Sequence, residues 1–96
     1  MSEKYLNEWE KCILELSEKE IKYDKLKEEH FKKAEDIIKH TDFKEIYGKN
    51  NADIRKAHIN EKLFDLTEEI KELKYSISFL KRKHDWYKAM CRFQDK

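Results

Sequence analysis

Apolar side chains recur at alternating steps of four and three residues through the second half of the chain. The series, called the seam below, is Ile59, Leu63, Leu66, Ile70, Leu73, Ile77, Leu80, His84, Tyr87 and Cys91. Steps of this size bring side chains to one face of an α-helix. They also match the a and d positions of a coiled-coil heptad, with Leu63 at a and Leu66 at d. The pattern predicts one helix over residues 52–93.

A second series of the same kind crosses the first half of the chain. Its members are Tyr5, Trp9, Cys12, Leu16, Tyr23, Leu26, His30 and Ile37. Lys19 and Lys33 occupy two positions of the series, where a lysine can bury its aliphatic stem and keep its ammonium group in water. This pattern predicts a helix over residues 3–39.

The connector HTDFKEIYGKNN, residues 40–51, carries signals for a short helical turn between the two helices. Asp42 can cap that turn, and Gly48 can end it in the left-handed conformation. Asn50 or Asn51 can cap the helix that follows. Because the connector is short, the sequence predicts a single all-α domain over residues 1–96, an antiparallel helical hairpin with coiled-coil character.

The two series predict which residues face each other in such a hairpin. They also predict that the hairpin pairs with a second copy. The predicted register places Trp9 near Tyr87, and Cys12 opposite His84. Two helices alone bury little apolar surface, so we expect a homodimer that forms a helical bundle. A further column of aromatic residues lies outside the seam at the c positions: Phe79, Trp86 and Phe93. It predicts that the helix packs against a second neighbour.

Composition supports the helical prediction and reveals an uneven charge. The 96 residues include one glycine and no proline, and 45% are charged. Long amphipathic helices tolerate this mixture, whereas sheets and tight turns usually need glycine and proline. The net charge is only +1. However, residues 74–96 hold seven basic and two acidic side chains, so the carboxyl-terminal end is basic.

The hairpin prediction brings both tryptophans and the basic cluster to the end opposite the connector. We expect an aromatic partner-binding set there, because tryptophan and tyrosine often anchor interfaces; it comprises Trp86, Phe93, Met90, Trp9 and Tyr5. The basic set is expected on the other side of the helix, to steer an acidic protein or contact nucleic-acid phosphates: Lys81, Arg82, Lys83, Lys88 and Arg92.

No pattern indicates catalysis, a cofactor or a metal site. Cys12, His84 and Cys91 lack the close spacing of zinc ligands, and a single glycine excludes a glycine-rich phosphate loop. The chain is therefore expected not to be an enzyme. It contains neither a run of 18 apolar residues nor a signal-peptide core, so no membrane contact and a cytoplasmic location are expected.

The segment TDFKEIYGKNNADIRKAHINEKL, residues 41–63, resembles a segment of small phage and prophage proteins. The matching residues are Thr41, Asp42, Phe43, Asn51, Arg55 and Ala57. The resemblance implies a phage setting and a host or phage protein as partner, without a mechanism. It favours an accessory of phage DNA replication or recombination. An anti-CRISPR-like inhibitor of a host defence protein, a nucleic-acid-binding protein and a structural coiled-coil spacer remain alternatives.

Overall fold

The computed structural model describes residues 2–94, and every secondary-structure element in that range is an α-helix. The predicted all-α class is therefore confirmed. In chain order the helices are α1 (Ser2–His40), α2 (Phe43–Tyr47), α3 (Ala52–Lys62) and α4 (Phe64–Gln94).

The carboxyl-terminal end of α1 is closed by side chains that bond to its last carbonyl groups. The Thr41 hydroxyl donates to the Ile37 carbonyl oxygen at 2.6 Å. The His40 Nδ1 atom lies 2.9 Å from the Asp36 carbonyl oxygen. Lys39 and His40 also place basic groups in the last turn, where they favourably meet the negative end of the helix dipole.

The short helix α2 and the start of α3 are fixed by three caps. The Asp42 carboxylate accepts a hydrogen bond from the Glu45 N–H at 3.1 Å. Gly48 ends α2 in the left-handed conformation with φ 72°, and its N–H donates to the Lys44 carbonyl oxygen at 2.8 Å. Asn51 caps α3 by accepting from the Ile54 N–H at 3.0 Å. The predicted caps at Asp42 and Gly48 are confirmed, and Asn51 rather than Asn50 caps α3.

The helix predicted over residues 52–93 is interrupted once, at Leu63. This residue has φ −110° and ψ 28° and separates α3 from α4. The hydrogen-bond ladder continues on both sides, since the Leu63 N–H donates to Ile59 and the Thr67 N–H donates to the Leu63 carbonyl, at 2.8 and 2.9 Å. The prediction of one unbroken helix is wrong at this residue, where no glycine or proline marks the break.

Contacts divide the described residues into two compact units. Unit 1 contains residues 2–24 and 72–94, and unit 2 is Lys25–Lys71. In unit 1 the start of α1 packs against α4 from Glu72 onward. In unit 2 the remainder of α1 accompanies α2, α3 and the start of α4.

The core of unit 1 is built from the predicted seam. Five side chains of the two series are buried there: Cys12, Leu73, Ile77, Leu80 and Cys91. Within unit 1, the contacts between α1 and α4 differ from the predicted register by about one turn. Cys12 meets Leu80 rather than His84, and the ring contact of Trp9 is with His84 rather than Tyr87.

The core of unit 2 is an aromatic cluster of Phe43, Tyr47 and His58. Phe43 and His58 are buried, and their rings meet edge to face with centroids 5.2 Å apart. The Tyr47 hydroxyl lies 2.6 Å from the His58 Nδ1 atom, which satisfies the buried imidazole. Ile46, three residues after Phe43, is exposed.

Burial predicts that deleting one methyl group will matter at Ile77 and not at Ile46. Ile77 is 7% exposed and Ile46 is 60% exposed. Ile77→Val should lower the free energy of unfolding by about 0.5–1.5 kcal/mol, as in other cores. The same change at Ile46 should stay within about 0.5 kcal/mol. Urea unfolding followed by circular dichroism measures both, and equal losses at the two positions would contradict the described packing.

The left-handed φ of 72° at Gly48 predicts a second stability effect. No atom lies within 4 Å of a β-carbon built at this position, so steric crowding contributes nothing. Gly48→Ala should still cost roughly 1–2 kcal/mol, because an L side chain disfavours the left-handed region. Thermal melting of the variant beside the unchanged chain tests this, and an unaltered melting temperature would contradict it.

Candidate interaction surface of unit 1

Trp86 is the central side chain of the candidate surface, because it is both held in place and open to solvent. The Tyr5 ring meets it edge to face, with centroids 5.8 Å apart and an interplanar angle of 74°. Tyr87 approaches it from the same helix at 5.1 Å. Nevertheless 52% of Trp86 remains exposed. A large ring that is already oriented loses little conformational freedom on binding, which favours its use as an anchor.

Phe93 and Phe79 extend this surface along α4 in both directions from Trp86. They are 77% and 62% exposed. The three aromatics are spaced seven residues apart, so they lie on one side of the helix. Phe79 was not among the predicted binding residues, although its c position was the signal that could have included it.

The remaining predicted aromatic-set residues are Tyr5, Trp9 and Met90, and each is half-buried. The Trp9 ring packs against His84 with centroids 5.8 Å apart. Its indole N–H is buried and finds no hydrogen-bond acceptor within the described part of the chain. Trp9 therefore supports the packing of α1 on α4, while Trp86 and Phe93 offer most of the accessible aromatic area.

The predicted basic set is exposed along α4: Lys81, Arg82, Lys83, Lys88 and Arg92. Two of its members lie beside the aromatics rather than opposite them. Arg82 and Lys83 stand three or four residues from both Phe79 and Trp86, and residues so spaced are neighbours on a helix. The expected separation of an aromatic side from a basic side is therefore wrong for this pair. Lys83 also places its ammonium group 5.9 Å from the centroid of the Tyr87 ring.

Cys12 lies beneath this surface and is chemically protected. Its thiol donates a weak hydrogen bond to the Leu80 carbonyl oxygen at 3.4 Å. Burial raises the pKa of Cys12 above its ordinary value, partly opposed by the positive charge of Lys83 and assisted by the negative charge of Glu15. A buried thiol with a raised pKa is a poor nucleophile, so its role here is packing.

Neither a candidate metal site nor a membrane-spanning helix occurs in the described range. No group of three or more His, Cys, Asp or Glu residues that could hold a metal ion occurs between residues 2 and 94. None of the described helices combines the length and apolar character needed to cross a membrane.

The raised pKa of Cys12 predicts slow modification of the folded protein. In a Cys91→Ser variant, where Cys12 is the remaining thiol, iodoacetamide at pH 8 should react more slowly than in the same variant unfolded in urea. Because burial disfavours the thiolate, Cys12 should contribute its full stabilisation below its unfolded pKa and lose that stabilisation as the pH rises through the raised folded pKa. Equal rates in folded and unfolded protein would contradict the burial of this thiol.

No protein-family model, no curated protein and no solved structure matches the chain.

Proposed function

We propose that the protein is a non-enzymatic interaction protein that binds another protein through the surface of unit 1. Trp86 and Phe93 are its apolar anchors, with Met90, Tyr5 and Trp9 supporting them. The observation that carries the proposal is the half-exposed Trp86 ring held by Tyr5 at 5.8 Å. Exposed rows of large aromatics are uncommon on surfaces without a partner.

The basic side chains around Trp86 give the partner its expected chemistry. All five members of the basic set are exposed, and an acidic partner surface would be drawn to them before contact. Exposed charges of this kind speed association more than they strengthen the final complex. The partner is therefore a protein with an apolar pocket bordered by acidic side chains.

Self-association belongs to the same proposal, with α1 and α4 as an antiparallel hairpin that forms a homodimeric bundle. The opposite chain directions of the contacts Tyr5–Trp86 and Cys12–Leu80 support the hairpin. A standard interface covers about 800 Å² on each partner, and the large apolar side chains that remain exposed in each unit are the surfaces that a second copy would cover.

The biological setting rests on the resemblance of residues 41–63 to small phage proteins. It favours an accessory of phage DNA replication or recombination, acting in the host cytoplasm. An anti-CRISPR-like inhibitor of a host defence protein would use the same surface. The identity of the captured protein separates these roles, because one partner is a recombination or replication protein and the other a defence nuclease.

Nucleic-acid binding is the second candidate function, and the position of Arg82 and Lys83 favours it. These side chains neighbour exposed Phe79 and Trp86, and proteins that bind single strands combine aromatic stacking with nearby positive charge. Reversing Lys81, Arg82 and Lys83 to glutamate tests this candidate. Salt-sensitive binding of single-stranded or duplex DNA by the unchanged protein, lost in the triple variant, would favour nucleic acid over a protein partner.

Trp86→Ala should abolish partner capture and leave the fold and self-association intact. Tyr75→Ala is the matched control, because Tyr75 is an exposed aromatic of the same helix. Proteins retained from host lysate by the unchanged chain and by Tyr75→Ala, but not by Trp86→Ala, would support the proposal. Light scattering should give about twice 11.9 kDa for all three proteins. Equal capture by all three, or loss of the dimer in Trp86→Ala alone, would contradict it.

A further inference from the structure

Unit 2 contains a groove of about 510 Å³ between α1 and α3. Phe31, Ile38 and Ile59 supply much of its apolar lining, and its charged lining residues are all basic: Lys27, Arg55 and Lys56. A neighbouring depression of about 200 Å³ shares Lys27 with it. The groove therefore combines an apolar floor with a positive rim.

The rim and floor of the groove are partly organised in advance. Arg55 is half-buried, and its guanidinium donates to the Asn50 side-chain oxygen at 2.7 Å. Phe31 and Ile38 remain 62% and 41% exposed although they line the groove. An apolar side chain from outside would remove these surfaces from water, which is favourable in proportion to the area covered.

The complementary surface occurs in unit 1, on a side of α1 away from the seam. Four large apolar residues, called the α1 stripe, are between 41% and 66% exposed there: Leu6, Ile13, Leu14 and Ile21. Glu10 stands three or four residues from Leu6, Ile13 and Leu14, and Glu18 has the same relation to Leu14 and Ile21. By the same spacing Glu3 and Asp24 add two acids, and Lys11 and Lys25 add two bases, so the charged neighbours of the stripe are four acidic and two basic.

We propose that the groove of unit 2 binds the α1 stripe of a second copy of this chain. The apolar rows would cover each other, and Glu10 and Glu18 would face the basic rim. Opposite charges around an apolar contact favour this pairing and disfavour the pairing of two grooves or two stripes. The inference rests on the proposed self-association and assigns it to surfaces that do not include Trp86.

A charge exchange between the two surfaces tests the pairing directly. Lys27→Glu with Lys56→Glu should weaken self-association at least tenfold, because two like-charged borders would then meet. Glu10→Lys with Glu18→Lys should do the same from the other side. An equimolar mixture of the two double variants should associate again, because one variant's reversed groove matches the other's reversed stripe. Sedimentation equilibrium of each protein and of the mixture measures these constants.

An apolar pair of variants controls for non-specific effects of charge. Phe31→Glu should weaken self-association, whereas Phe64→Glu should not, since Phe64 is 60% exposed in the same unit and lies outside the groove. Circular dichroism checks that both keep their helix content. If the charge variants associate like the unchanged chain, or the mixture stays apart, the assigned surfaces are wrong.

Measuring both partner capture and self-association for each variant distinguishes the partner surface from the self-association surface. Trp86→Ala should keep self-association, and the groove variants should keep partner capture on immobilised protein. Failure of the charge exchange with capture still dependent on Trp86 would overturn this inference and leave the proposed partner binding intact. An unchanged chain that stays monomeric at all concentrations would overturn the inference as well, because the groove would then have no second copy to bind.

Discussion

The close contact between Cys12 and Leu80 sets the register on which the surface of unit 1 depends. A cysteine is small, so the helices approach until its thiol reaches the Leu80 carbonyl oxygen at 3.4 Å. That approach aligns Trp9 with His84 and Tyr5 with Trp86, the contacts that orient the exposed indole. A larger residue at position 12 would separate the backbones and remove the support of the Trp86 ring. The fold and the candidate site are thus linked by one small buried side chain.

In unit 2 the constraint is different, because helix caps and an aromatic cluster hold the corner that α2 and α3 form. Asp42, Gly48 and Asn51 terminate helices at defined residues, and the Tyr47–His58 contact at 2.6 Å holds α2 to α3. A buried imidazole is costly without a hydrogen-bond partner, so the contact between the imidazole and the phenol favours one arrangement of this corner. The groove between α1 and α3 lies in the unit that this corner helps to order.

The sequence predicted the helices and their buried faces well because both follow from the period of the apolar residues. All ten seam residues from Ile59 to Cys91 are buried or half-buried. The register was less predictable, since sliding one helix by a turn still pairs apolar rows with apolar rows. The break at Leu63 carried no glycine or proline signal. The α1 stripe was visible as Leu6–Ile13 and Leu14–Ile21, each seven residues apart, but a single dominant seam does not indicate that a helix has a second apolar side.

Because α1 has a second apolar side, the exposed apolar residues of this chain are arranged in rows. Single exposed leucines or phenylalanines are ordinary on any protein surface. Here they form ordered rows with charged borders, and the borders differ: basic beside Trp86 and around the groove, acidic along the α1 stripe. A basic border repels another basic border, so the aromatic surface and the groove are unsuited to each other while each suits an acidic partner. The α1 stripe supplies acidity of this kind through Glu10 and Glu18, and its four side chains are aliphatic. A row of aliphatic side chains suits a groove lined by Phe31 and Ile38, whereas the proposed partner surface presents the flat rings of Trp86 and Phe93.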